Sequence, residues 1–281
     1  MKIILMFSML GASLICAVLI NNKATDSNVA EVRQPARAAE AKAVPVLVEL
    51  FTSEGCSSCP PADEALTRLE QTQPVGGAQI IALGQHVDYW NRLGWTDPFS
   101  SAMFSQRQSD YARAFGKDGV YTPQMIVDGQ KEFPGGNMNL ARRAIDEATK
   151  TSKASVELTR TDTAQAAKTD AVPLQVRVGN MPAISAGDTA EVMLAITESN
   201  LRTDVPRGEN AGRRLRHASV VRQLRPLGIF DPQQGKTFAA APIINIGKGV
   251  KREQLHAVVF VQERLSRRVL GAAMIALTSS T

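Results

Sequence analysis

The feature that most constrains the fold of this chain is a pair of cysteines set between a strand-like run and a helix-like run. Residues 46–51 are apolar and favour a β-strand, and the polar loop after them ends in Cys56-Ser57-Ser58-Cys59. Two prolines follow at once, and in residues 62–73 the apolar positions recur at helical spacing. A Cys-x-x-Cys pair in the order strand, loop, helix is typical of a redox-active dithiol rather than of half a zinc site.

The cysteine count narrows what this pair can do. The chain contains three cysteines, and Cys16 lies in an apolar run at the N-terminus. If that run directs export, the exported part holds Cys56 and Cys59 and no other cysteine. A framework of several disulfides is therefore excluded, and so is a four-cysteine zinc site within one chain.

The N-terminus predicts a location outside the cytoplasm. Lys2 precedes an uncharged apolar run over residues 3–20, which is long for the core of a signal peptide and at the lower limit for a membrane span. We therefore predict that residues 1–24 are a signal peptide or an uncleaved N-terminal membrane anchor, followed by a polar linker at 25–44. Both alternatives give a periplasmic or secreted protein, in a compartment where disulfides persist. The second adds membrane attachment at the N-terminus.

Composition limits the partners. The chain has 281 residues, of which 44% are hydrophobic, enough to bury a sizeable core. Its net charge is +5, but the Lys and Arg residues are spread along the chain without a polybasic block. Nucleic acid is therefore not a predicted partner. The predicted partners are protein substrates or small thiols and disulfides, and no cofactor is predicted.

The segments after the linker predict two domains. In residues 45–152 strand-like and helix-like segments alternate, and two short strands joined by a turn precede a last helix. Asp97 and Pro98 are expected to be the N-cap and the first residue of the helix between them. Residues 153–281 contain six or seven short β-rich segments separated by Gly, Pro, Asn or Asp, which predicts an antiparallel β-sandwich. One of these segments, residues 213–224, is expected to be a single strand with arginines on its solvated face.

A cysteine attacks a disulfide as its thiolate, so the surroundings of Cys56 decide its reactivity. At the junction of strand and helix, the Cys56 sulfur would face unpaired backbone N–H groups and the positive end of the helix dipole. Ser57 and Ser58 would donate hydrogen bonds to it, whereas the charge of Glu54 would oppose ionisation. We predict a modestly lowered pKa for the Cys56 thiol, with Cys59 resolving the mixed disulfide.

This order of elements resembles the thioredoxin-like fold, and Thr122-Pro123 stands just before the first hairpin strand. The resemblance implies that Pro123 is cis and lies beside the dithiol, and that the Thr122 backbone pairs with a substrate chain. The buried acid that many thioredoxins carry six residues before the first cysteine falls here on Leu50. Glu49 would point to the opposite face of the strand. The proton-handling group therefore has no predicted residue. The expected fold is an α/β thioredoxin-like domain followed by an antiparallel β-sandwich-like domain.

Four stretches carry a more specific resemblance that extends over both predicted domains. They are LVELFTSEGCSSCPPAD (47–63), HVDYWNRLGWTDPFSSAMFSQRQSDYA (86–112), YTPQMIVDG (121–129) and GENAGRRLRHASVVR (208–222). In these stretches the chain resembles a family of exported bacterial proteins known as domain of unknown function 1223. The resemblance implies fold and compartment more than a reaction, because the function of that family is not established.

We predict an exported thiol–disulfide oxidoreductase-like protein that acts through Cys56 and Cys59, with Thr122 and Pro123 positioning the substrate. Two alternatives stay open. One is a non-catalytic binding or scaffold protein with an inert disulfide. The other is a Cu(I)-handling protein in which the two thiolates act with His86 or with a ligand from a partner. His86 is otherwise expected to be a hydrogen-bonded structural histidine.

Other polar and aromatic residues are weaker candidates. Asp88 is expected either to transfer protons or to cap a loop. Trp90 and Trp95 are expected to line a peptide groove or to pack as buried side chains. His217 and His256 have no metal-ligand spacing and are predicted to be structural.

Overall fold

The computed structural model describes residues 43–161, 171–231, 236–247, 250 and 252–278. The predicted signal peptide or anchor (residues 1–24) lies outside the described residues, as does the predicted linker except for its last two positions. Within the described residues, no helix is both long enough and apolar enough to cross a membrane.

The described residues contain fourteen β-strands and three α-helices. The strands are β1 (Val44–Thr52), β2 (Ala78–His86), β3 (Gln124–Val127), β4 (Lys131–Pro134), β5 (Ser155–Arg160), β6 (Ala171–Gly179), β7 (Ala190–Glu198), β8 (Leu201–Asp204), β9 (Arg214–His217), β10 (Val220–Phe230), β11 (Phe238–Ala240), β12 (Ile243–Asn245), β13 (Leu255–Glu263) and β14 (Val269–Ala276). The helices are α1 (Pro60–Thr72), α2 (Ala102–Ala114) and α3 (Met138–Thr149).

Eight strands form one large sheet in the order β14–β13–β7–β10–β2–β1–β3–β4. β1 and β2 are parallel, and β3 and β4 follow as antiparallel strands beyond β1. Beyond β2 the sheet continues through β10, β7, β13 and β14, which are antiparallel to one another. The sheet therefore runs through both segments that the sequence assigned to separate domains. The boundary between residues 152 and 153 stays a prediction, as does the assignment to a thioredoxin-like domain and a β-sandwich.

β1 lies inside the large sheet and is covered on both faces. Val46, Val48 and Leu50 pack against α1 and α3. Leu47 and Phe51 point to the other face, where α2 lies. Successive side chains of a strand alternate between faces, so a strand buried on both sides needs a nearly continuous apolar run. This explains the composition of residues 46–51 and holds the start of the cysteine loop in a rigid frame.

A second, smaller sheet pairs β5, β11 and β12 with β6. Its inner residues, such as Leu174 and Val176, share an apolar core with Val192, Leu194 and Val259 of the large sheet. β8 and β9 form a separate antiparallel hairpin, and β9 contacts α1. This hairpin brings residues from the second half of the chain to the cysteine loop.

Residues 213–224 do not form the single strand that the sequence predicted. The backbone turns at Ser219, which has a φ of +48°, so β9 ends in the hairpin and β10 starts in the large sheet. The turn packs against β2, where the Gly84 N–H donates to the Ser219 carbonyl at 2.8 Å. A Cβ atom on Gly84 would lie 3.1 Å from the Ala218 carbonyl oxygen. Glycine therefore permits the close approach that joins the two halves of the sheet.

α2 begins later than predicted, because Asp97 is not its N-cap. Ser101 is the cap, and its hydroxyl accepts the Met103 N–H at 3.2 Å. The Asp97 carboxylate is committed elsewhere: it accepts the Glu54 N–H at 2.8 Å and bonds His86 at 2.6 Å. A long-range partner thus takes the side chain that local sequence rules assigned to the helix.

Candidate functional site

The two cysteines lie between the end of β1 and the start of α1. Cys59 is the N-cap residue of α1, and prolines occupy the first two helical positions. Proline suits these positions because its fixed φ is already helical and it has no N–H to satisfy. Cys56 and Cys59 form a disulfide with their Cα atoms 5.4 Å apart. Both cysteines are fully buried, whereas Ser57 and Ser58 between them are exposed.

The start of α1 does not supply the N–H donors that we expected at the Cys56 sulfur. Pro60 and Pro61 have no N–H, the Cys59 N–H donates to the Cys56 carbonyl at 3.2 Å, and the Ala62 N–H donates to the Cys59 carbonyl at 2.8 Å. Across the described part of the chain, no backbone N–H donates to the Cys56 sulfur. That expectation is therefore wrong, because the prolines that begin the helix remove the free donors.

Two hydroxyl groups take the place of these donors at Cys56. The Thr122 hydroxyl donates to the Cys56 sulfur at 3.4 Å, and the Ser58 hydroxyl lies 3.4 Å from the same atom. Trp90 Nε1 donates to the Thr122 hydroxyl oxygen at 2.8 Å. Since an indole N–H can only donate, the Thr122 proton is free to point at the sulfur. A thiolate on Cys56 would thus be met by oriented O–H groups.

Pro123 packs beside Gly135, which also lies close to the start of α1. The Thr122–Pro123 peptide bond is cis, as the thioredoxin resemblance implied. The Gly135 N–H donates to the Pro123 carbonyl at 3.0 Å. A Cβ atom on Gly135 would lie 2.7 Å from Leu50, 3.0 Å from Ala62 and 3.4 Å from Pro123, so this close packing requires glycine.

Glu54, two residues before Cys56, is fully buried and bound by two partners. His217 Nε2 lies 2.9 Å from one carboxylate oxygen of Glu54, and Trp95 Nε1 donates to the other at 2.8 Å. Its charge is therefore engaged with an imidazole and an indole beside the cysteine loop. The chain brings His217 here from more than 160 residues away, and the prediction that it is simply structural gave no reason to expect this contact.

Asp97 forms a second acid–histidine pair next to the first. It bonds His86 Nδ1 at 2.6 Å, and the N–H groups of Glu54 and Phe99 also donate to it. Burial would raise the pKa of Asp97, but His86 and these N–H groups hold it below the ordinary value. The His86 and His217 rings meet edge to face, with centroids 4.8 Å apart. Two acid–histidine pairs are therefore packed together beneath the cysteine loop.

The loop between β8 and β9 is tied directly to the cysteine loop. The Asn210 amide donates to the carbonyl oxygens of Glu54 and Cys56 at 2.8 and 3.0 Å. The Ser57 N–H donates to the Glu209 carboxylate at 3.0 Å. The conformation of the cysteine loop therefore depends on residues from the second half of the chain.

Asp63 lies one turn into α1 and is 7% exposed. Burial raises the pKa of its carboxyl to about 7. The nearby charge of His217 opposes this rise, whereas the carboxylates of Asp97 and Glu54 add to it. Asp63 is thus the buried acid of this region whose proton exchanges near neutral pH.

The structure brings together the four residues that the sequence singled out, since Thr122 contacts the Cys56–Cys59 disulfide and precedes Pro123. Among the weaker candidates, Asp88 fixes a loop to α2, because its carboxylate accepts the Ser105 hydroxyl at 2.5 Å. The two tryptophans are half-buried, and both donate to residues of the site.

Sequence reasoning missed Asp63, Asn210 and His217. A signal existed for Asp63, because it follows Cys59 by one helical turn in a helix whose start was predicted. For Asn210 and His217 the only signal was their place in the stretch 208–222 that carries the family resemblance. Within the described residues, no group of three or more His, Cys, Asp or Glu side chains is arranged to hold a metal ion.

Comparison with known proteins finds relatives among solved structures. A crystal structure of protein AGR_C_4864 from Agrobacterium tumefaciens is 27% identical, covers 85% of this chain and 97% of that one, and has a TM-score of 0.64. HBP35 of Porphyromonas gingivalis is 15% identical over 83% of this chain and 75% of that one, with a TM-score of 0.61, a likeness of fold alone. Comparison with proteins of curated function gives no match.

The family comparison covers most of the chain, from the middle of β1 almost to the end of β13. It includes the cysteine loop, the Thr122–Pro123 bond and the β8–β9 hairpin. Because the model of the protein family of unknown function DUF1223 matches residues 47–262, the chain belongs to that family.

Proposed function

We propose that this chain is an exported thiol–disulfide oxidoreductase-like protein whose reacting group is the Cys56–Cys59 pair. The observation that carries the proposal is the disulfide itself, placed between a strand and a helix and contacted by the Thr122 hydroxyl. On this proposal residues 45–152 are a thioredoxin-like domain and residues 153–281 a β-sandwich-like domain. Export, to the periplasm or beyond, is proposed from the apolar run at residues 3–20.

The proposed reaction moves two electrons between the dithiol and a substrate disulfide. In the reduced protein, the Cys56 thiolate attacks one substrate sulfur, a mixed disulfide forms, and the other substrate sulfur leaves as a thiolate. Cys59, as its thiolate, then attacks the Cys56 sulfur. The Cys56–Cys59 disulfide forms, and the second substrate thiolate leaves. The reverse sequence oxidises a substrate dithiol and reduces the protein.

Thr122 supports this reaction in two ways. Its hydroxyl donates to the Cys56 sulfur, which favours the thiolate as attacking and leaving group. Its own backbone N–H and C=O have no hydrogen-bond partner within the described residues, so they are free to pair with an extended substrate chain. The substrate class that fits is a polypeptide with a cystine or a cysteine pair, or a small thiol or disulfide.

The proposal is tested by turnover. Purified protein is expected to reduce insulin or to oxidise a dithiol peptide, and Cys56→Ser is expected to abolish this. Cys59→Ala is expected to trap substrates as mixed disulfides, because nothing resolves them. Ser57→Ala is the matched control, since this residue of the same loop is exposed and, within the described residues, its hydroxyl forms no hydrogen bond with the Cys56 sulfur. Absence of Cys56-dependent turnover at every redox poise would reject the proposal.

The burial of both cysteines favours a second candidate, a binding protein with a structural disulfide. Exchange at a buried disulfide requires a local opening of the cysteine loop, whereas a structural disulfide stays closed. The rate of reduction by a small dithiol separates the two. A redox-active pair is expected to be reduced without unfolding, and a structural one only together with unfolding of the cysteine loop and α1.

A further inference from the structure

Asp63 and Cys59 lie on the same face of α1. Cys59 already has helical backbone angles, and the Asp63 N–H donates to the Cys59 carbonyl at 3.1 Å. Side chains four residues apart on a helix are neighbours, with Cβ atoms about 5–6 Å apart. The side chains of Asp63 and Cys59 are therefore neighbours on this face.

The Asp63 carboxyl differs from the other buried acids around the dithiol because no histidine or cation of the described residues is bonded to it. Glu54 and Asp97 each bond a histidine. Within the described residues Asp63 forms no salt bridge, and the side chain that acts on its carboxyl as a hydrogen-bond partner is the neutral Thr52 hydroxyl. A buried carboxyl without a charged partner costs stability when it ionises, and acids of this kind are common at functional sites.

Asp63 also has a path to water. It lines an open groove of about 560 Å³ between α1 and β9. The charged residues that share this groove are Glu64, Arg68, Arg213, Arg214 and Arg216. A proton on Asp63 can therefore leave to solvent along α1 without crossing the apolar core.

We propose that Asp63 is the proton-handling residue of the dithiol, accepting the proton of the Cys59 thiol as the disulfide closes and returning it as the disulfide opens. This inference rests on the proposed function, because it requires that the pair exchanges. During closure the S–H proton passes to the Asp63 carboxylate, and its electron pair stays on sulfur. The new Cys59 thiolate attacks Cys56, the substrate thiolate leaves, and Asp63 releases its proton to water in the groove.

The surroundings of Asp63 suit this role. A general base works best when its pKa lies near the pH of the medium, and burial brings the pKa of Asp63 to about 7. The charged and titratable groups around it come from every neighbouring segment: Glu64 and Arg68 on α1 and Arg213, Arg214 and Arg216 on the hairpin line the groove, and Glu54, Asp97 and His217 act on its pKa. Glu54 and Asp97 raise its proton affinity, and His217 limits the rise.

The test follows closure of the disulfide in the reduced protein. An aromatic disulfide reagent releases one coloured thiolate when Cys56 attacks it and a second when Cys59 closes the ring. In the parent protein the closure rate is expected to rise with pH and to level off above about pH 7 as Asp63 ionises. In Asp63→Asn, closure at neutral pH is expected to be about 10²-fold slower and to keep rising into the alkaline range, following the Cys59 thiol alone. Glu64→Gln, an exposed carboxyl in the same groove, is the matched control and is expected to keep the parent profile.

A second measurement needs no substitution. The carbon-13 shift of the Asp63 carboxyl is followed against pH in the oxidised and in the reduced protein. If Asp63 is coupled to Cys59, the pKa of Asp63 differs between the two forms, because the thiol and its proton are present only after reduction. An identical pKa in both forms, or closure by Asp63→Asn at the parent rate and pH profile, overturns the proposal and leaves disulfide exchange intact. Asp63-dependent closure without any substrate turnover would instead reject the proposed function alone.

Discussion

Glu49 on β1 and Asp63 on α1 are both buried carboxyls, 1% and 7% exposed, but their pKa values are shifted in opposite directions. Arg107 binds both oxygens of Glu49, at 2.7 and 3.0 Å, and Gln85 and Tyr111 donate to it as well. Burial would raise the pKa of Glu49, yet these partners hold it below the ordinary value. Asp63 has no such partner, and burial raises its pKa to about 7.

The difference lies in the partners rather than in the depth of burial. A carboxylate held by a bidentate arginine keeps its charge and fixes packing. The Glu49 network (Glu49, Gln85, Arg107, Tyr111 and Gln262) links β1, β2, α2 and β13, because Gln262 donates to the Tyr111 hydroxyl at 2.8 Å. A buried carboxyl without a charged partner changes its charge near neutral pH, which suits proton transfer. We therefore assign the Glu49 network to stability and, under the proposed function, Asp63 to the reaction.

The largest expected effect comes from breaking the Glu49 network. Arg107→Met leaves the Glu49 carboxylate buried without its cation and is expected to lower the free energy of unfolding by about 3–5 kcal/mol. Urea unfolding at neutral pH measures the change. Arg113→Met, on the exposed side of the same helix, is the control and is expected to change stability by about 0.5 kcal/mol or less. A loss in Arg107→Met no larger than in the control would contradict the structural role of the network.

The pH dependence of stability is expected to have the opposite sign at Asp63 from that at Glu49, because the pKa of Asp63 is raised and that of Glu49 is lowered. Its folded pKa, about 7, lies above its unfolded value, so the folded parent protein binds the extra proton. Its contribution to stability is therefore complete below about pH 4 and is lost as the pH rises through about 7. Asp63→Asn carries no charge and does not show this loss. The unfolding free energy of Asp63→Asn relative to the parent is expected to rise by up to about 4 kcal/mol from pH 4 to pH 8.

This prediction is measured by urea unfolding of the oxidised proteins across that pH range. Glu64→Gln removes a neighbouring exposed carboxyl and is expected to follow the parent curve. A constant difference between Asp63→Asn and the parent at all pH values would mean that Asp63 ionises in the folded protein as it does in the unfolded chain. The contrast with Glu49 would then disappear.

Glu263, fully buried at the end of β13, sharpens the comparison because it is a buried acid with partners. Burial would raise its pKa, but Arg268, Ser266 and Ser185 donate to the carboxylate and lower its pKa to about 2. The stability that this provides is present above about pH 4.5 and is lost as the pH falls towards 2. Glu263→Gln is expected to lower the unfolding free energy by about 3 kcal/mol at neutral pH, with a deficit that shrinks in acid. Glu253→Gln, at an exposed position, is the control, and a pH-independent deficit in Glu263→Gln would show that lost packing rather than lost charge is responsible.

The sequence predicted the secondary-structure elements that are determined by neighbouring residues. The apolar run of β1, the helix after the cysteines and the Asp128-Gly129 turn between β3 and β4 all follow from patterns a few residues long. The contact that joins the two halves of the large sheet does not follow from such a pattern. It depends on Gly84 in β2 meeting Ser219, which is more than 130 positions away in the chain. No periodicity in either segment encodes that contact, so the sequence suggested two separate units where one sheet continues.

The residues of the candidate site likewise differ in whether a local pattern could predict them. Cys56 and Cys59 follow from spacing alone, and Thr122 and Pro123 from resemblance to a known fold. Asp97 was predicted to be a helix cap because local patterns do not show that its partners are Glu54 and His86. His217 lies at the site because it is part of the β8–β9 hairpin, which the sequence did not predict. Residues that close a site from a distant part of the chain leave no local pattern.

The smallest expected effect concerns the Thr122 hydroxyl, which reaches the Cys56 sulfur from outside the cysteine loop. Thr122→Val keeps the shape of the side chain and removes the donor to Cys56, so the pKa of the Cys56 thiol is expected to rise by about one unit. The rate of alkylation against pH, measured in a Cys59→Ala background, reports that pKa. Ser57→Ala should leave it unchanged, because in the described part of the chain the Ser57 hydroxyl forms no hydrogen bond with the Cys56 sulfur. An unshifted pKa of the Cys56 thiol in Thr122→Val would mean that the hydroxyl does not stabilise the thiolate. Support for a chemical role of this site would then come from Asp63 and not from Thr122.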